Sequence, residues 1–162
     1  LGDKECEIKI PELDFWKSQN IGGFSVDPNI RENIKNEALE VKNFSNTESQ
    51  AIYSVKQKSL DSFKFGFHIN LIKVDVEGYE LEFFQGGSDT IKSSRFPPII
   101  FELWEDKAWY GQKAEQTKST LADWGYGFYQ FGREILAQHP SHPIKCVIEK
   151  KGEAINLKVT LN

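Results

Sequence analysis

The sequence predicts an α/β fold with a mostly parallel sheet and antiparallel strands near the carboxyl end. From residue 69 onward, short apolar runs and segments of helical periodicity follow in the order strand, helix, strand, helix, strand, strand. This alternation is typical of parallel strands joined by helices. The last two apolar segments alternate in polarity across Lys151 and Gly152, which indicates an antiparallel hairpin.

The elements before residue 69 are predicted from periodicity and turn residues. Pro11 is expected to stop the first strand because proline cannot donate to a ladder. Ser59 is placed to cap a short helical turn. In chain order we predict a strand at 7–10, a glycine turn at 20–25, a helix at 29–42, a polar loop at 43–50, a strand at 51–58 and a helical turn at 59–63.

The elements from residue 69 onward form the predicted sheet and its helices. The run at 69–76 is short, rich in β-branched residues and ended by glycine, which favours a buried strand. Gly86 and Gly87 interrupt the next helical pattern, so we expect a close contact or a helix break there. In chain order the predicted elements are a strand at 69–76, a helix at 79–94, a strand at 97–104, a helix at 110–124 ended by Gly125, strands at 126–131 and 134–138, and a hairpin at 144–149 and 154–161.

Length, charge and cysteine usage limit the class of protein. The 162 residues suit one domain, and a hydrophobic fraction of 39% excludes a disordered chain. The net charge is −4 and the basic residues are scattered, which disfavours a nucleic-acid partner. There is no signal-peptide pattern and no apolar run near the ~20 residues that span a bilayer, so no membrane partner is expected. Cys6 and Cys146 are expected to be free thiols in a reducing compartment, which predicts a cytoplasmic location.

A cluster of acids is predicted at one edge of the sheet. Lys73, Asp75 and Glu77 alternate with apolar residues, so their side chains point the same way while the strand stays extended. Glu102 ends the next parallel strand, and ligands bind at the carboxyl ends of such strands. Gly78 allows the chain to turn sharply into the following helix.

The residues alone leave two interpretations of this cluster open. Carboxylates that repel one another typically bind a cation, accept a proton or hold ligand hydroxyl groups. Alternatively, Asp75 or Glu77 only accepts helix N–H groups, and Lys73 only neutralises them. Two further motifs, a zinc site at His139 and His142 and an aromatic stacking surface near Trp104, are weaker interpretations than structural packing.

Several strings together resemble one enzyme family. They are SLD at 59–61, INLIKVDVEGYE at 69–80, FFQGG at 83–87 and PIIFE at 98–102, with further matches at 1–5, 20–23, 125–126 and 135–139. In this combination the sequence resembles the FkbM family of S-adenosylmethionine-dependent methyltransferases. The resemblance covers residues 1–140 and leaves the terminal hairpin outside.

The resemblance implies a Rossmann-like methyltransferase sheet and methyl transfer to a hydroxyl of a sugar or other polar metabolite. It implies that Asp75 lies nearest the acceptor and the methyl group, that Glu77 positions the acceptor or holds a cation and that Glu102 is a supporting acid. Asn20, Gly22 and Lys73 are assigned to the acceptor pocket. No metal site is predicted, and no residue is assigned to the cofactor.

Two features of that family have no counterpart in this sequence. They are the glycine-rich turn after the first strand and the acid after the second strand, which hold the cofactor. With the absence of methionine, this leads us to expect the carboxyl-terminal part of the family domain. We therefore expect weak cofactor binding by this chain alone and a large apolar surface that a homodimer would cover.

Two other function classes compete with the methyltransferase. One is a non-catalytic module whose acids hold a glycan or a protein partner. The other is a cation-dependent phosphoryl-transfer enzyme built on Asp75 and Glu77. The second ranks last because no phosphate-binding loop accompanies the acids.

Overall fold

The computed structural model describes residues 1–13, 24–40, 48–152 and 154–161. Within these ranges, helices and strands alternate through the centre of the chain. In chain order the elements are β1 (Cys6–Leu13), α1 (Pro28–Glu40), β2 (Glu48–Gln57), a 3₁₀ turn (Leu60–Ser62), β3 (Ile72–Val74), α2 (Glu80–Gln85), α3 (Ser88–Ser93), β4 (Ile99–Glu102), α4 (Gly111–Asp123), β5 (Gly127–Phe131), β6 (Glu134–Gln138), β7 (Ile144–Lys151) and β8 (Ala154–Leu161).

The central sheet has four strands in the order β3-β4-β6-β5. β3 and β4 are parallel neighbours, with Ile72 opposite Ile99, which confirms the predicted pairing of these segments. β6 is antiparallel to both β4 and β5. Consequently β3, β4 and β5 run in one direction, and β6 runs against them.

The expectation of a mostly parallel sheet is wrong for the described residues, where this sheet contains a single parallel pair. The two-residue turn at Gly132 and Arg133 is the physical reason. It joins β5 to β6 directly, and a connection of two residues can join only antiparallel neighbours. The sheet is therefore mixed, with its antiparallel strands towards the carboxyl end as predicted.

The core lies between this sheet and helices α2, α3 and α4. β3 alternates buried Ile72 and Val74 with exposed Lys73, whereas Ile99 and Phe101 of β4 are fully buried. The ring of Phe84 from α2 packs edge-on against Phe101, with centroids 5.4 Å apart. Burial of this kind stabilises a domain by about 1.5–3 kcal/mol for each large apolar side chain.

Three boundaries differ from the prediction. β1 continues through Pro11 to Leu13, because a strand in a two-stranded sheet has a free edge where a missing N–H is tolerated. β2 begins at Glu48, so the end of the predicted polar loop is strand. β3 covers only Ile72–Val74, because the backbone leaves the extended conformation soon after Val74.

The predicted helix at 79–94 is broken at Gly86 and Gly87 into α2 and α3. The amino-terminal segment crosses the chain at this break. A Cβ on Gly86 would lie 2.1 Å from the carbonyl oxygen of Gly2, and one on Gly87 would lie 3.0 Å from Leu60. Both possibilities raised by the two glycines, a close contact and a helix break, are therefore present.

Asp61 caps the helix that follows the break. Its two carboxylate oxygens accept hydrogen bonds from the backbone N–H groups of Asp89 and Thr90, at 3.1 and 2.7 Å. The Asp61 N–H in turn donates to the Gly86 carbonyl at 2.8 Å. Ser59, the predicted cap of the preceding turn, makes no side-chain capping bond.

The other strands form two separate antiparallel pairs, β1 with β2 and β7 with β8, and the second is the predicted terminal hairpin. Both cysteines are free, as predicted. Exposed apolar side chains are numerous on β2, on the segment 63–71, on β5 and on the terminal hairpin, in agreement with the expected apolar surface. No helix in the described ranges is long and apolar enough to cross a membrane.

The contact at Gly86 predicts a large effect of a small substitution. Gly86→Ala forces a methyl group onto a backbone carbonyl, so we expect a loss of about 1–3 kcal/mol in the free energy of unfolding. Urea denaturation measures this loss. Gly66→Ala is the matched control, since a Cβ there meets no atom within 4 Å. Equal stability of the two variants would contradict the close packing.

Candidate active site

The carboxyl ends of β3 and β4 bring the predicted acids together. Asp75 directly follows β3, and Glu102 is the last residue of β4. The negative charges of both side chains act on Glu77, as does that of Glu80. The expectation that Asp75 and Glu102 share one edge of the sheet is therefore met, and we call Asp75, Glu77 and Glu102 the acid rim.

A sharp backbone turn places Glu77 at the rim. Glu77 and Gly78 both have positive φ, at 50° and 90°. A Cβ on Gly78 would lie 2.6 Å from Ile30 and 3.2 Å from Trp104. Gly78 is therefore required both by its backbone conformation and by the side chains over it. Glu77 is held in a conformation that residues other than glycine rarely adopt, a feature common at functional sites.

Glu77 has an unusual proton affinity for a carboxyl group. Partial burial, followed by the negative charges of Asp75, Glu102 and Glu80, raises its pKa from 4.5 to about 7. A group with such a pKa gains and loses its proton readily near neutral pH, as a general base must. Among the described ranges, no three His, Cys, Asp or Glu side chains are arranged to hold a metal ion.

Glu80, to which the sequence analysis gave no role, holds the turn at Glu77 and Gly78 through hydrogen bonds to its buried carboxylate. Its side chain is 2% exposed. The Tyr110 hydroxyl donates to it at 2.8 Å, and the Gly78 N–H donates at 3.3 Å. Burial raises the pKa of Glu80, and these hydrogen bonds act in the opposite direction. The sequence feature that could have identified Glu80 is its place as an acid in the first turn of the helix that follows the glycine turn.

Lys73 does not neutralise the rim in the way that the sequence suggested. Its ammonium group contacts both carboxylate oxygens of Glu134 on β6, each at 2.7 Å. Lys73 and Glu134 are both partly exposed, so solvent weakens this ion pair. The pairing leaves the acids of the rim without this lysine as a partner, which agrees with the raised pKa of Glu77.

Aromatic side chains next to the rim pack on one another. Trp104 lies 5.4 Å from Tyr110 and 6.1 Å from Trp109 between ring centroids. Its indole N–H donates to Glu102 at 3.2 Å. The Trp109 indole N–H donates to Glu37 of α1 at 2.6 Å. The cluster therefore serves packing, as the sequence favoured, and it also orients Glu102.

The histidines of the H-x-x-H motif have structural partners. His139 stacks on Phe96 at 4.6 Å between centroids and its Nδ1 lies 2.7 Å from the Ser141 hydroxyl. His142 is buried and its Nδ1 accepts the Ile144 N–H. Both contacts favour the structural interpretation of this motif. Asn20 and Gly22, the remaining candidates for the acceptor pocket, lie outside the described residues.

Comparison with known proteins gives one match. The family model of the methyltransferase FkbM domain matches residues 11–128, more than half of the chain. The matched range contains the acid rim, Glu80 and Gly86, and it ends before the terminal hairpin. No curated protein and no solved structure matches the chain.

The raised pKa of Glu77 predicts a pH-dependent stability. The pKa in the folded chain, about 7, lies above the ordinary value of 4.5. The unfolded chain therefore releases this proton first as the pH rises. The stability associated with protonated Glu77 is complete below pH 4.5 and is lost as the pH rises to about 7. Thermal unfolding of the wild type and of Glu77→Gln should diverge over this window, with the variant gaining in relative stability.

Asp75→Asn provides the matched comparison. It removes one charge that raises the pKa of Glu77. The stability associated with protonated Glu77 should therefore be lost at a lower pH in this variant than in the wild type. Parallel pH profiles of the wild type and Glu77→Gln would show that Glu77 has an ordinary pKa.

Proposed function

Because the chain belongs to the FkbM methyltransferase family, we propose that it acts in methyl transfer from S-adenosylmethionine to a hydroxyl oxygen of a sugar or another polar metabolite. The acid rim supports an oxygen acceptor, because a hydroxyl group must give up its proton when it is methylated. The single observation that carries this proposal is the convergence of three other carboxylates on Glu77.

The fold supports the proposal at a coarse level. Three strands run in one direction with helices between them, and one antiparallel strand is inserted near the carboxyl end. We propose that they belong to a Rossmann-like methyltransferase sheet. In the described residues β3 pairs only with β4, so further strands of such a sheet would pair with the free edge of β3.

The clefts lined by the described residues give no support for a methyl-donor site next to the acid rim. Gly78, the glycine nearest the rim, is covered by the protein's own side chains, Ile30 and Trp104. The clefts of about 630, 390 and 270 Å³ that the described residues line contain no residue of the acid rim. We therefore assign no step to the donor. This mismatch also favours the alternative, a non-catalytic module that binds a glycan or a protein partner.

The proposed roles concern the acceptor. Glu77 takes the hydroxyl proton at a carboxylate oxygen, since a base with a pKa near the working pH is the most effective. Asp75 is exposed at the end of β3 and is placed to hydrogen-bond the acceptor. Glu102, oriented by Trp104, helps to keep the pKa of Glu77 high. This assignment gives the proton-accepting role to Glu77, whereas the resemblance implied that Asp75 is the acid nearest the acceptor and the methyl group.

Calorimetry tests the donor side directly. Titration of S-adenosylmethionine into the chain should give no micromolar binding, because the sequence has no counterpart of the glycine-rich turn and the strand-end acid that hold the cofactor in this family. Micromolar binding would place the donor site within this chain and would point to Gly22 and Gly23, which lie outside the described residues.

Kinetics test the acceptor side in a version of the protein with a complete donor site. Glu77→Gln should lower kcat by about 10²–10⁴-fold, the usual contribution of a general base. Asp75→Asn should shift the pH–rate profile to lower pH, because it lowers the pKa of Glu77. Glu115→Gln, an exposed acid on α4, is the control. If Glu77→Gln retains full activity across a panel of hydroxyl acceptors, the proposed role is wrong. No methylation of any acceptor by the wild type would favour the binding module.

A further inference from the structure

The hydroxyl group of Tyr110 is a buried polar group to which the proposed chemistry gives no role. Tyr110 directly precedes α4 and is 1% exposed. Its N–H donates to the carbonyl of Lys107 and its own carbonyl accepts the N–H of Ala114, each at 2.9 Å. Its ring packs against Trp104, with centroids 5.4 Å apart. The backbone and the packing therefore hold the hydroxyl in one place.

The Tyr110 hydroxyl donates to one carboxylate oxygen of Glu80, at 2.8 Å. The other oxygen accepts the Gly78 N–H at 3.3 Å, and this N–H belongs to the peptide bond between Glu77 and Gly78. Burial, followed by the negative charge of Glu80, raises the pKa of Tyr110, so the hydroxyl keeps its proton and acts as the donor. Both oxygens of Glu80 face donors, which favours the ionised form of a carboxyl group.

Burial of Glu80 acts against this ionised form. The residue is 2% exposed, and burial raises the pKa of its carboxyl group. The hydrogen bond from Tyr110 is the largest effect that lowers this pKa. A buried carboxylate that loses such a donor takes up a proton, because an unpaired charge is costly away from water. The charge of Glu80 therefore depends on the Tyr110 hydroxyl.

We propose that Tyr110 is a positioning residue of the candidate active site, which keeps Glu80 ionised and so controls both the turn and the charge next to Glu77. The ionised carboxylate holds the peptide bond that follows Glu77, and its charge acts on Glu77 together with the other acids of the rim. Without the hydroxyl, Glu80 gains a proton and one of these charges is lost. Glu77 then releases its own proton at a lower pH.

The surrounding groups cannot take over the role of Tyr110. α1 covers the turn with the apolar side chain of Ile30. Lys113 of α4 is already paired with Glu82 of α2, at 2.8 Å. The other charged groups that act on Glu77 and on the Tyr110 hydroxyl are acids, which accept hydrogen bonds rather than donate them: Asp75 at the end of β3, Glu102 at the end of β4, and Glu82. In the described part of the chain, Tyr110 is therefore the side-chain donor to Glu80.

Carbon NMR titration of the side-chain carboxyl groups tests the proposal. In the wild type, Glu80 should be ionised at neutral pH. In Tyr110→Phe, Glu80 should be protonated at neutral pH, and the pKa of Glu77 should fall from about 7 towards 4.5. The fall should be smaller than in Asp75→Asn, because the charge of Asp75 acts more strongly on Glu77 than that of Glu80.

Tyr126→Phe is the matched control. Tyr126 is also buried, and its hydroxyl donates to the backbone carbonyl of Pro97 at 2.8 Å. The variant loses the same kind of buried hydrogen bond at a site that does not involve Glu80, so the pKa of Glu77 should stay at its wild-type value. A merely structural role of Tyr110 would lower stability in both variants and leave the pKa of Glu77 unchanged in both.

Glu80→Gln makes the test decisive. It removes the charge and should also lower the pKa of Glu77, but it should cause no further fall when added to Tyr110→Phe, where Glu80 already carries a proton. A further fall in the double variant, or an equal pKa of Glu77 in the wild type and Tyr110→Phe, would overturn the proposal. A protonated Glu80 in the wild type at neutral pH would overturn it without any variant.

The effect of Tyr110 on methyl transfer rests on the proposed function of Glu77, whereas these titrations do not. In a version of the protein with a complete donor site, Tyr110→Phe should shift the pH–rate profile to lower pH. If the titrations change as expected and this profile does not move, Tyr110 controls the charge of Glu80 as proposed, and the proposed role of Glu77 as the base is wrong.

Discussion

The buried carboxylate of Glu80 is the interaction on which the candidate site depends. It accepts the Gly78 N–H from the turn and the Tyr110 hydroxyl from the start of α4, and it begins α2 itself. One side chain therefore joins the end of β3 to two helices. A carboxyl group that is 2% exposed is costly unless its oxygens are hydrogen-bonded. The turn and Tyr110 supply those bonds, so the geometry of the rim and the burial of Glu80 stabilise each other.

The conditions that destabilise the acid rim are the same ones that give Glu77 a pKa suited to proton transfer. Glu77 is held at positive φ, partly buried and close to other negative charges. Each of these conditions works against stability, and together they give a carboxyl group whose pKa lies near 7. The structure maintains the arrangement because Ile30 and Trp104 close over Gly78 and fix the turn. Strain and charge repulsion concentrated at one sheet edge are common features of catalytic sites.

The strings that resemble the methyltransferase family serve two different purposes in the structure. SLD and FFQGG form a packing unit, in which Asp61 caps α3 and Gly86 admits the crossing segment at Gly2. KVDVEG and PIIFE instead supply the acids of the rim and the turn that holds them. Similarity to a catalytic family therefore does not by itself make each matched residue catalytic. The contacts of each side chain distinguish the two roles.

The sequence by itself determined the local features of this protein. Periodicity and turn residues predicted most helices and strands, the parallel pairing of β3 with β4, the terminal hairpin and the shared edge of Asp75 and Glu102. These features follow from residues close together in the chain or from general rules of strand connection. The insertion of β6 beside β4, the pairing of Lys73 with Glu134 and the crossing at Gly86 were decided only by the tertiary structure. The raised pKa of Glu77 and the role of Glu80 belong to the same group. Each depends on contacts between residues far apart in sequence, and no local pattern encodes which distant partner a side chain will meet.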